Sequence, residues 1–228
     1  MQDEWSDEIA LEGHTAGLAA IAREGLPTAE VFARYLKEHE AELFVGGEDE
    51  IDIADVMRQS FIHHGVDLTD DDLRLFLTSV HDVWASYYLL AASTHALLEA
   101  LRNRGLKLAL VSNTASPEWL LRPVLERQGL VERVDVVVLS SEVGKRKPHP
   151  AIFRRALDEL GVAPDEALFV GDRLEADVLG ASRVGMGTVQ ALWFRADDVR
   201  IDVEPDYQAF TQMDVLNVVD RLVGVRTG

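Results

Sequence analysis

The spacing of apolar residues changes character near residue 92. Over residues 9–90 they recur at helical intervals, as in Val31, Phe32, Tyr35 and Leu36, and again in Leu73, Phe76, Leu77 and Val80. Thr69 followed by Asp70, Asp71 and Asp72 reads as a helix start, because acids favour the positive end of the helix dipole. Gly46, Gly47 and Gly65 supply breaks. The pattern predicts four or five helices and no buried strand in this stretch. From residue 94 onward helix and strand alternate. A helix over 94–103 stops at Gly105, and 106–111 reads as a strand. Ser116, Pro117 and Glu118 open the next helix with a capping hydroxyl, a first-position proline and an early acid. Strands are expected at 134–139, 167–170 and 188–194, and helices at 150–160, 176–184 and 215–223.

Short apolar strands alternating with helices predict a parallel sheet covered on both faces, a Rossmann-like α/β core. The expected division is an all-helical unit over 1–92 and an α/β unit over 93–228. Ligands of such sheets bind beyond the carboxyl ends of the strands, so the residues following each strand matter most. After the first come Ser112, Asn113 and Thr114, small donors suited to an anion, although a plain cap explains them equally well taken alone. After the second, Lys147 precedes Pro148, which restrains its backbone and fixes where the ammonium is presented. Lys145 and Arg146 read as solvated loop charges. After the third, Asp172 and Asp177 place two hard carboxylate ligands in one turn, the type of donor Mg²⁺ takes alongside water and phosphate. An anion donor, a fixed cation and a carboxylate pair thus share one edge of the predicted sheet.

Composition narrows the classes. A net charge of −18 disfavours nucleic acid as a partner. The absence of cysteine excludes disulfides, thiolate metal sites and thiol nucleophiles. No apolar run approaches the ~20 residues needed to cross a bilayer, and the first eight residues are acidic, unlike a secretory or transit leader. A cytoplasmic protein without a membrane partner is the expectation. His63 and His64 are adjacent and point about 100° apart on a helix, which favours surface positions over a metal site. Trp84, Tyr87 and Tyr88 read first as packing residues and second as a pocket lining. Trp5 and Trp119 carry no assignable chemistry.

Taken together, residues 108–113, 143–148 and 169–172, with Asp177, Gly180 and Ala181, resemble the second, third and fourth motifs of the haloacid dehalogenase superfamily. The resemblance covers about residues 94–194. It implies that Ser112 bonds the transferred phosphoryl oxygens, that Lys147 holds the nucleophilic carboxylate, and that Asp172 binds Mg²⁺ with Asp177 in support. It also implies that the helical unit is a cap, and the acidic pair is that of phosphatase members acting on a small phosphorylated metabolite. A homodimer is left open. His149 and Pro123 depart from the usual pattern away from this chemistry.

The family's first motif, an apolar strand ending in Asp-x-Asp, has no counterpart here. Asp3 and Asp7 are too far apart; Asp49, Asp52 and Asp55 lie in a polar linker; Asp70 and Asp72 follow no buried strand. The expectation is therefore a sheet lacking its central, nucleophile-bearing strand. First in rank comes a shortened form of an active phosphohydrolase, second a non-catalytic relative that binds phosphate, metal or a protein partner.

Overall fold

The computed structural model describes residues 7–40, 47–193 and 201–224. Asp3, Trp5 and Gly46, named above, and the last position of the strand expected at 188–194 lie outside the described residues. Among the described residues the first part of the chain forms α1 (Asp7–Ile21), α2 (Ala29–Glu38), α3 (Ile53–His63) and α4 (Asp70–Ala85). Local chemistry sets their starts. Thr28 caps α2 by accepting from the Val31 N–H, Asp52 caps α3 through Ala54 and Asp55, and Thr69 caps α4 through Asp72 at 3.1 Å. Helices α1 and α4 approach closely because Gly13 and Gly17 face α4. A Cβ on Gly13 would lie 2.4 Å from the Trp84 ring, and one on Gly17 would lie 2.6 Å from Phe76 and Val80. The core between the helices is aromatic: Phe32, Phe61 and Phe76 are fully buried, with ring centroids 4.7–5.7 Å apart.

Helix α5 (Thr94–Arg102) opens the α/β part. It is followed by β1 (Ala109–Ser112), α6 (Glu118–Arg127), β2 (Val136–Leu139), the short α7 (Ser140–Val143) and α8 (Pro150–Leu160). Then come β3 (Leu168–Gly171), a wide π-type turn of helix (Leu174–Leu179) running into α9 (Gly180–Arg183), β4 (Gly187–Ala191), β5 (Tyr207–Ala209) and α10 (Asp214–Leu222). Strand β1 begins later than the apolar run suggests, because Asp135 takes up both polar groups of Leu108: its N–H and carbonyl each bond Asp135 at 2.8 Å. The π-type turn replaces the start of the regular helix expected at 176, and β5 was too short to stand out from the sequence pattern.

All strand pairs are parallel, which makes this an α/β fold of Rossmann-like type, but they form two sheets. One is β1–β2, with Ser112 opposite Leu139; the other is β3–β4–β5, with Gly171 opposite Gln190. No described strand pairs with the second edge of β1 or of β3. Apolar packing nevertheless joins the sheets. On one face Ala109, Val111 and Phe169 share a cluster with Ile152 and Phe153 of α8 and Ala181 of α9. Helix α5 serves both sheets, with Leu97 and Leu101 packing beside Val189 and Leu98 beside Leu110. The joint between helical and α/β parts is also shared, since Trp119 and Leu120 of α6 pack into the helical core. No helix among the described residues is long and apolar enough to cross a membrane.

Candidate functional site

Four of the five singled-out positions can be placed around one ammonium group. Lys147 Nζ donates to the Val111 carbonyl at 3.2 Å and to Asp177 Oδ1 at 2.7 Å, and lies 5.2 Å from the Phe169 ring centroid. It therefore touches the carboxyl end of β1, the body of β3 and the π-type turn that follows β3. The lysine and aspartate side chains are 12% and 4% exposed, so their attraction is little screened by solvent. Asn113 fixes the lysine's backbone from both sides: its Oδ1 accepts from the Lys147 N–H at 2.7 Å, and its Nδ2 donates to the Lys147 carbonyl at 3.0 Å. The amide expected to face an anion thus holds the cation in position instead. Ser112 is the last residue of β1, next to both Val111 and Asn113. The Lys147–Pro148 peptide bond is cis.

Asp177 owes its place to the π-type turn and to a glycine. Its N–H and that of Val178 both donate to the Arg173 carbonyl, the wide spacing of a π turn. Its Oδ2 in turn accepts from the Arg173 N–H at 3.0 Å. The carboxylate lies over Gly171, where an added Cβ would fall 2.3 Å from its carboxyl carbon. Any larger residue at 171 would push Asp177 away from Lys147. Asp172 follows directly, half-buried at the carboxyl end of β3. Two carboxylates from one turn match the one or two that Mg²⁺ ordinarily takes from protein. No group of three His, Cys, Asp or Glu that would hold a metal without further ligands exists among the described residues, and this includes His63 and His64.

One contributor was not anticipated. Residues Glu48, Asp49 and Glu50, between α2 and α3, reach across to the Lys147 segment as a strap. Asp49 forms an antiparallel bridge with Lys145, Glu50 N–H donates to the Gly144 carbonyl at 3.1 Å, and Arg146 N–H donates to the Glu48 carbonyl at 2.9 Å. Lys145 pairs with Asp49, so it is not a merely solvated charge, and Arg146 lies 3.9 Å from Glu50. The Glu50 side chain, 2% exposed, accepts a short hydrogen bond from the buried Ser140 hydroxyl, which itself accepts from the Thr114 N–H at 2.7 Å. The signal was present as an acidic run at 48–50 matched by the basic pair at 145–146. Spacing along the chain does not reveal which charge runs will meet.

Parallel strands whose carboxyl ends carry a buried lysine and two neighbouring carboxylates define an α/β architecture with a charged site at its strand ends. The chain belongs to the haloacid dehalogenase-like hydrolase family, which it matches over residues 6–185. Its similarities run mainly to phosphatases. It is 36% identical to a glyceraldehyde 3-phosphate phosphatase of Methanopyrus kandleri over 150 residues, 64% of this chain and 63% of that one. It is 44% identical to a phosphoserine phosphatase of Thermus thermophilus over 106 residues, 46% of this chain and 41% of that one. The chain thus spans less than two thirds of either relative. Among solved structures, a HAD phosphatase from Thermococcus onnurineus superposes with a TM-score of 0.63 at 26% identity, covering 93% of this chain and 91% of that one.

Proposed function

We propose that this chain carries the phosphate- and metal-handling part of a Mg²⁺-dependent phosphatase acting on small phosphate monoesters. The observation that carries the reading is Lys147, whose ammonium joins the end of β1 to Asp177 beyond β3 across the junction of the two sheets. A cation there, beside Ser112 and the Asp172/Asp177 turn, suits a phosphoryl group whose charge grows during transfer. Names of the relatives, phosphatases for glyceraldehyde 3-phosphate and phosphoserine, support the same class. Asp172 and Asp177 would hold Mg²⁺, which supplies charge neutralisation and a template for the phosphoryl oxygens.

A nucleophile remains to be supplied. The open edges of β1 and β3 suit one further parallel strand, and an aspartate at its carboxyl end would emerge beside Ser112, Lys147 and Asp172. In this reading residues 1–92 form the cap over a core of 93–228. The test is hydrolysis of p-nitrophenyl phosphate with Mg²⁺, by the 228-residue chain and by a form extended with an apolar strand ending in Asp-x-Asp. Background activity in the first and turnover in the second are expected. In the extended form, Lys147→Ala and Asp172→Asn should each lower kcat by about 10²–10³-fold. Strong turnover by the 228-residue chain would refute the assignment of the nucleophile. The second reading, a non-catalytic phosphate- or partner-binding relative, is favoured by one feature: both carboxylate oxygens of Asp177 are already engaged, by Lys147 and by the Arg173 N–H.

A further inference from the structure

The short helix α7 is gripped from two directions. At its start it holds the loop after β1: the Ser140 hydroxyl oxygen accepts from the Thr114 N–H at 2.7 Å, and Ser141 Oγ donates to the Ser116 carbonyl at 2.9 Å. At its far end the strap from the helical unit fastens on, where the Glu50 N–H donates to the carbonyl of Gly144, the residue closing α7. Most charge pairs of the strap are weak ties. Asp49 and Lys145 are 66% and 39% exposed, and Glu48 meets Arg183 at 3.6 Å with both about half-exposed, so water screens them. Glu50 differs. Its side chain is 2% exposed, with one oxygen on the Ile51 N–H at 3.0 Å and the other on the Ser140 hydroxyl. A buried carboxylate is stable only while its partners stay in place, so this contact fixes the strap.

The Ser140 hydroxyl has one proton and two acceptors within reach. One is Glu50; the other is the Thr114 carbonyl, 3.2 Å away. A carboxylate can only accept, so a seated Glu50 draws the proton and leaves the Ser140 oxygen facing the Thr114 N–H. With Glu50 withdrawn, the hydroxyl can turn to the Thr114 carbonyl, two residues from Ser112. We propose that Glu50 is a positioning residue for the phosphate site. Through Ser140 it sets the loop that carries Ser112, and through Gly144 it sets the segment that leads into Lys147. The inference rests on the phosphatase reading above. By linkage, phosphate at Ser112 and Lys147 tightens the seat of the strap by the factor by which the seated strap tightens phosphate.

Calorimetric binding of inorganic phosphate with Mg²⁺ to the 228-residue chain tests this. Glu50→Ala and Ser140→Ala should each weaken binding by about tenfold, the worth of one well-placed hydrogen bond. The double substitution should weaken it no further, because the two residues act in one chain of contacts, whereas independent packing losses would add. Glu50→Gln keeps an oxygen for the Ser140 hydroxyl and should bind within about threefold of the unaltered chain. Hydrogen exchange on the unaltered chain decides the matter even where the variants fail to fold. Phosphate should slow exchange of the Glu50 N–H by the same factor of about ten, although the strap holds none of the phosphate ligands. Additive losses, no loss, or an unchanged Glu50 N–H leave the phosphate site standing and overturn the positioning role. If phosphate does not bind the unaltered chain, the site itself is refuted and the role of Glu50 falls with it.

Discussion

The helical and α/β parts of this chain are both built around apolar clusters, but the first has one aromatic centre and the second is divided between two sheets among the described residues. In the helical part, burial deepens towards the middle: Phe32, Phe61 and Phe76 have no exposed surface. In the α/β part β1 and β3, which pack against one shared cluster, are less buried than their neighbours. Strand β2 and strand β4, the middle strand of its sheet, are mostly buried, whereas every residue of β1 is only half-buried and Val170 in β3, an edge strand of its sheet, is 38% exposed. A doubly covered parallel sheet ordinarily hides its inner strands best. The helical part thus closes on its own aromatic core, while β1 and β3 each keep one edge without a strand partner among the described residues.

The largest effect should appear where packing is closed. Phe61→Ala removes a fully buried ring from the aromatic core and should destabilise the chain by about 3–5 kcal/mol in urea unfolding. A loss below about 1 kcal/mol would mean that the helical core is far looser than its packing implies. Next comes the pH response of the same core. His14 is neutral when folded, with a pKa of about 4 set by burial, and ordinary at 6.5 when unfolded. Between these values the unfolded chain binds a proton that the folded one refuses. This contribution to stability is therefore complete above pH 6.5 and falls away as the pH drops towards 4, by about 3 kcal/mol in total. Denaturation curves at pH 7, 5.5 and 4.5 would reveal it, and an unchanged midpoint would contradict the buried, neutral ring.

Gly17→Ala tests the close approach of α1 and α4. Alanine favours a helix, by about 1 kcal/mol over glycine, yet its Cβ would sit 2.6 Å from Phe76 and Val80. Overpacking of that kind costs about 1–3 kcal/mol, so a net loss is expected despite the better propensity. A net gain would show that the two helices separate without cost.

Much of this was legible in the sequence. The change of hydrophobic rhythm near 92 matches the passage from α4 to the strand-bearing part, because a 3.6-residue period and short apolar runs are local signals. Lys147 and Asp177 stood out as candidates through their positions after predicted strands, and they meet at 2.7 Å. What escaped depends on geometry between distant segments. The π-type turn that aims Asp177 back over Gly171 has no periodic signature, and the strap at 48–50 is visible only once it meets Lys145 and Arg146. Asn113 looked like an anion donor because its type and place allow that; only its two bonds to the Lys147 backbone show another task.

The smallest effect is the most informative about the sheet. Val170 lies in β3, whose second edge no described strand pairs, and it is already 38% exposed. Val170→Thr keeps the β-branched shape and strand preference while exchanging a methyl for a hydroxyl. Where that hydroxyl stays in water it should cost the 228-residue chain less than about 0.5 kcal/mol. Seating a further strand against β3 would bury the same position, and a hydroxyl enclosed there without a partner costs about 1–3 kcal/mol. The substitution should therefore be nearly silent in the chain alone and clearly destabilising in a strand-extended form. Equal effects in both would mean that the extra strand does not lie along β3, and the open edge would then need another occupant or none.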